Sequence, residues 1–219
     1  MPTGEPTYEE RWRAPIPTDR HDALETLTAS VRRLIEATVA TGVDGDELLT
    51  LAAEVDDVAG RLELLQDDDP WVARSYGPGL PDPARLMGIN PAMGACNPAA
   101  PELRMRINED LSISGTVRFR LSHVGPPYRA HGGSVALVLD QVLGFAVIAG
   151  QVPGMTASMT VKYRAATPLD TELRVEAGVV EAEGRRSRVM AQMFDGDGNV
   201  TAEAEGLFVM PKGGRHGGA

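Results

Sequence analysis

The 219-residue chain has one cysteine, Cys96, and 21 basic residues against 31 acidic ones. A single thiol excludes an internal disulfide and fits a reducing compartment, which makes the sequon Asn199-Val200-Thr201 accidental. No residue adjacent to Cys96 in sequence activates its thiol, so it reads as a packing residue. The formal charge of −10 excludes general nucleic-acid binding, because neutralising phosphates requires a basic surface. Long apolar runs are missing too: a charge interrupts every stretch of membrane-spanning length, and Met1–Glu5 lacks the basic and apolar blocks of a signal peptide. The expectation is a cytoplasmic globular protein without a membrane span, and 42% hydrophobic residues supply an ordinary core.

Hydrophobic spacing divides the chain. Residues 1–20, proline-rich and charged, read as a flexible arm. Within 21–66, Leu24, Leu27, Val31 and Leu34 recur at helical spacing. Leu48, Leu51, Val55, Val58, Leu62 and Leu65 do so in strict alternation of threes and fours, which predicts a helical hairpin that packs on the main domain or on a dimer partner. Residues 67–101 are rich in Pro, Gly and Asp and read as a long connector draped over the surface, with Met87, Met93 and Cys96 as its packing residues. From 102 to 210 alternation takes over, with a strand hairpin turning at Asn108-Glu109-Asp110 and strands near 155–164, 171–183, 186–195 and 200–210. The tail, 211–219, reads as disordered.

Between these strands lies the stretch from His131 through Gly132 and Gly133 to Gly144, which is nearly apolar all round except for Asp140. An apolar helix among antiparallel strands predicts an α+β fold in which a sheet wraps around a buried helix. A buried, unpaired carboxylate is costly, so Asp140 must be paired, protonated or used in chemistry. Two glycines at the helix start allow close approach to its free N–H groups and to the positive end of its dipole.

Tyr128-Arg129-Ala130-His131-Gly132-Gly133, with Asp140 nine residues after the histidine and Gly144 four further on, resembles the hotdog-fold acyl-CoA thioesterases of the phenylacetate-degradation type, most of all the carboxyl-terminal modulator protein-like branch. Gly125-Pro126-Pro127, Met155 to Tyr163, Pro168-Leu169 and Glu183-Gly184-Arg185 carry the same resemblance, which covers about 102–210 and leaves the helical hairpin unexplained. It implies a hotdog fold and hydrolysis of an acyl-CoA thioester, as in fatty acid metabolism, with no metal or other cofactor. It also implies a catalytic set of Asp140 as base or nucleophile, Gly132 as oxyanion donor beside Gly133, His131 as motif histidine, and Thr156 as a hydroxyl near the carboxylate. Ser158 and Ser134 are second-rank hydroxyls, and Lys162, Arg164, Arg185 and Arg186 are candidates for the coenzyme A phosphates. The alternative is a non-catalytic acyl-CoA or lipid-binding or regulatory protein on the same scaffold.

Spacing adds a constraint. Gly132 and Asp140 are eight residues apart, about 12 Å along a helix at roughly 1.5 Å per residue, whereas a base works within about 3 Å of its target. One carbonyl cannot touch both in one chain. An antiparallel pairing of two such helices across a two-fold axis brings Asp140 of one opposite Gly132 of the other, so a homodimer or a tetramer with composite sites is expected.

Overall fold

The structure is a computed structural model that describes residues 18–66, 88–152 and 154–210. Two helices come first, α1 (Thr18–Ala40) and α2 (Gly45–Glu63). The strands β1 (Arg104–Ile107) and β2 (Ile113–Val117) follow, then a 3-10 turn (Leu121–His123) and α3 (Gly132–Ala149). Last come β3 (Met155–Tyr163), β4 (Leu173–Glu183), β5 (Arg186–Phe194) and β6 (Val200–Val209). The strands form one antiparallel sheet in the order β1-β2-β4-β5-β6-β3. This is the expected hotdog arrangement, with α3 lying against the sheet.

Local chemistry sets the turns. Gly184 and Gly198 take φ of +56° and +85°, conformations open to glycine, and so close the β4–β5 and β5–β6 hairpins. The Asp195 carboxylate gathers the N–H groups of Asp197 and Asn199 at 3.0 and 2.8 Å. Those hydrogen bonds hold its carboxyl below the usual carboxylate range.

Side chains from α3 (Val135, Val138, Leu139, Val142, Leu143, Ala146) bury against Val175, Val189, Ala191, Met193 and Ala204 of the sheet. Burial of α3 is one-sided, contrary to the all-round burial expected. Leu137, Asp140, Gln141, Gly144 and Ile148 form a stripe that the chain leaves half-buried or exposed. By length and composition α3 also passes as a membrane span, and half of it is buried inside the fold. The edge strand β3 is mostly exposed, with Met155 and Tyr163 at 70% and 55%.

The N-terminal half departs from expectation in three ways. First, α1 starts at Thr18, inside the arm expected over 1–20; residues 1–17, like 211–219, lie outside the described residues. Second, the two helices do not share a packed seam. The Arg32 guanidinium of α1 donates to the Asn97 carbonyl at 2.9 Å, and Glu36 accepts from the Ser122 hydroxyl, so α1 docks on the body, whereas no residue of α2 is buried. Third, the connector enters the core: Met93 joins the main cluster, and Ala92, Cys96 and Ala100 are buried beside it. Met87 lies outside the described residues. The Cys96 thiol sits 3.8 Å from Nε2 of the buried His21, a neighbour brought from 75 residues away and so invisible in the residues that flank Cys96.

Candidate functional site around Asp140 and the start of α3

The site begins with a tight loop after β2. Gly125 N–H donates to the Arg129 carbonyl at 2.9 Å and His131 N–H to the His123 carbonyl at 2.8 Å, so the chain enters α3 from a closed turn. A Cβ on Gly125 would lie 2.7 Å from the His131 Cα, so only glycine fits there. His131 caps the helix: its Nδ1 accepts from Gly133 N–H at 2.9 Å. An accepting Nδ1 places the ring proton on Nε2. No described residue accepts from Gly132 N–H, which remains directed out of the helix start.

Tyr163 is the residue that sequence reasoning missed. Its hydroxyl donates to the Gly132 carbonyl at 2.8 Å, and its ring lies where a Cβ on Gly132 would come within 3.3 Å of Cζ and Oη. The end of β3 thus holds the glycine whose N–H is in question. Its only sequence signal was membership of the motif strand. A second missed contact lies beside the carboxylate, where Asn90 of the connector donates to Gln141 Oε1 at 2.9 Å.

Two turns along α3, the Thr156 hydroxyl donates to Asp140 Oδ1 at 3.0 Å. A β-bulge between Thr156 and Ser158 shifts the register of β3 against β6. Bulges re-aim side chains, and this one accompanies the turn of Thr156 toward the helix. Asp140, expected in a buried setting, lies half-buried on the uncovered stripe with Oδ1 bonded and Oδ2 without a partner among the described residues. Ser158 is exposed on β3 and makes no hydrogen bond with a described side chain.

The four basic candidates do not form one patch within the chain. Lys162 pairs with Glu203 and Arg186 with Val209 along the sheet, six residues apart on β6, or about 20 Å at roughly 3.3 Å per residue. Lys162 lies 3.8 Å from Glu203 Oε1 and Arg164 bonds the same oxygen. The Arg164 guanidinium, with Lys162 behind it, holds the Glu203 carboxyl below its usual range. Arg185 Nε donates to the Met210 carbonyl at 2.9 Å. Of the apolar residues along α3 and β3, Leu143 and Val147 are core, Met159 is half-buried, and Leu137 and Met155 are exposed.

Sheet, central helix and a glycine-opened, carboxylate-bearing α3 define a hotdog domain of thioesterase type. The family model of the thioesterase superfamily matches residues 129–202, which include both glycines, Asp140, Thr156 and Tyr163. A crystal structure of a thioesterase superfamily protein is 30% identical to this chain. The two align over 90% of this chain and 98% of that one with a TM-score of 0.75. The chain belongs to the thioesterase superfamily. Its sequence is also 31% identical over 86 residues to the acyl-coenzyme A thioesterase THEM4 of Xenopus laevis. That match spans 39% of each chain, about two fifths of the length of the curated relative.

Proposed function

We propose that the protein is an acyl-CoA thioesterase whose active sites are shared between two copies of the chain. The observation that carries this reading is the Thr156–Asp140 hydrogen bond of 3.0 Å on the uncovered stripe of α3, the same helix that opens on the free Gly132 N–H. Asp140 either removes a proton from water or attacks the thioester carbonyl itself, and in both cases Oδ2 is the reacting atom. The carbonyl oxygen gains negative charge as the tetrahedral intermediate forms, and a helix-start N–H meets that charge. Collapse breaks the C–S bond, and the leaving thiolate of coenzyme A takes up a proton. The acid is released after water supplies its oxygen. Base and donor suffice for this chemistry, so no metal or redox group is assigned.

Distance and exposure support sharing between copies. About 12 Å separates Gly132 from Asp140 along one helix, at roughly 1.5 Å per residue. The stripe that carries Asp140 also holds exposed Leu137 and Ile148, and a Cβ added to Gly144 at its centre would meet no other atom within 4 Å. A two-fold partner laid against α3 and the open edge of β3 covers this surface and brings its own Gly132 to Asp140. A cytoplasmic setting accords with the lone, buried Cys96.

The deciding measurement is release of free thiol from a panel of acyl-CoAs by the full chain and by Asp140→Asn. Turnover that disappears in the variant, with thermal unfolding unchanged, supports the assignment. Binding of acyl-CoA without thiol release would assign the protein to acyl-CoA or lipid binding instead.

A further inference from the structure

Among the described residues, α2 is the one α-helix with no buried residue. It nevertheless carries Leu48, Leu51, Val55, Val58 and Leu62 at spacings of three and four, and Leu65 continues the row past its end. Their exposures run from 39% for Leu51 to 89% for Leu65. A row of this kind on a monomer marks a surface awaiting a partner. The spacing is that of a coiled-coil seam. It belongs to a helix built to stand by itself, with an Asp44 carboxylate capping Glu47 N–H at 3.1 Å and acidic residues in the first turn.

The identity of the partner is written in the order of the spacings. Three, four, three, four, three reads the same in both directions. An antiparallel second copy therefore sets Leu48 against Leu65, Leu51 against Leu62 and Val55 against Val58, with none left over. The flanks agree with this. Ala52 and Ala59 stand beside the seam and let two backbones approach, and Glu47 of the acidic first turn meets Arg61 in the last turn of the other copy at both ends. Glu54 faces its own counterpart near the axis, one like-charge contact against these two opposite ones. Asp56, Asp57 and Glu63 fall on outward heptad positions, away from the seam. A parallel pair would set Glu47 beside Ala52, gain no charge pairing, and align the two helix dipoles. The acidic outer face also excludes an anionic lipid surface as the occupant.

We propose that α2 docks antiparallel on α2 of a second copy of this chain. This seam is separate from the α3–β3 face and does not depend on the catalytic reading. Where α3–β3 and α2 join a chain to different neighbours, crossing of the two two-fold axes closes the assembly as a tetramer.

The test is the mass of the full chain by sedimentation equilibrium, run beside thiol release. Val55→Asp halves the mass and leaves hydrolysis per chain unchanged. Glu47→Arg, which keeps the apolar row intact, also lowers the mass by placing Arg against Arg61, and adding Arg61→Glu in the same chain restores it. The proposal is overturned if Val55→Asp keeps the wild-type mass, as it will if another segment of the chain covers the seam or the seam serves a different protein. It is equally overturned if Arg61→Glu fails to rescue Glu47→Arg. Loss of the catalytic reading would abolish thiol release and leave these masses as stated, so the two fail separately.

Discussion

The Thr156 hydroxyl donates to Asp140 Oδ1 at 3.0 Å, across sixteen residues and from a bulged edge strand to a helix. The bond fixes the carboxylate rotamer and leaves Oδ2 in a set direction. Thr156→Val removes the donor at nearly constant shape, so kcat for acyl-CoA hydrolysis should fall on the order of tenfold to a hundredfold with KM changed far less, the expected pattern for loss of precise positioning. Thr156→Ser keeps the hydroxyl and should recover most of that loss. Equal kcat in the valine and wild-type proteins would refute the role.

Gly133 and His131 are coupled by contact. A Cβ on Gly133 would lie 3.0 Å from His131 Nδ1, where the cap is made. Gly133→Ala should therefore push the ring from its acceptor position and cost about 1 kcal/mol of stability, the usual magnitude for a lost cap. In a His131→Ala background the same change should be neutral or stabilising, since Ala is a better helix former than Gly by up to about 1 kcal/mol. Thermal unfolding of the four proteins in this cycle checks the expected non-additivity.

Composite sites make a quantitative forecast. Asp140→Asn and Gly132→Val chains should each be inactive alone. When they are mixed one to one and allowed to exchange, half of the dimers are mixed, and each holds one intact site of two, so about a quarter of wild-type turnover should return. A mixture that stays inactive after exchange would show that the site does not draw on both copies.

Glu203 links pH to the end of β3. Its folded-state carboxyl is held low, first by Arg164, so the stabilisation is present above the unfolded value and is lost as pH falls through the folded one. The carboxyl resonance of Glu203 should titrate at higher pH in Arg164→Ala than in the wild type. In acid, Lys162 and Arg164 lose their shared anion, and protection of the β3–β6 amides near Tyr163 should fall before the sheet as a whole opens. An Arg164→Ala titration that coincides with wild type would remove Arg164 as the cause.

Much of this was legible in sequence because it is local. The period of α3 runs from Gly132 to Ala149, and the turn residues around Gly184 and Gly198 place both hairpins. The apolar helix also announced Asp140, whereas Thr156 was implied only by the resemblance to the hotdog thioesterases. What escaped depends on register and on distance. Tyr163 reaches Gly132 only because β3 crosses α3, and His21 meets Cys96 only once α1 has docked. The separation of Lys162 from Arg186 is decided by β6, which neither residue's own neighbourhood describes. The exposed stripe of α3 was hidden for another reason: an apolar helix looks alike whether its second face meets the same chain or another copy.

The strand order has a further consequence during synthesis. Each paired residue of β3 bonds to β6 and to no other strand, although β4 and β5 are made first. A nascent chain that has already produced Asp140, Thr156 and Tyr163 therefore holds β3 without a neighbour until residues 200–209 emerge. The Thr156–Asp140 and Tyr163–Gly132 contacts wait on the last strand, so a ribosome-bound fragment carries all four residues without the neighbour that holds β3 in place.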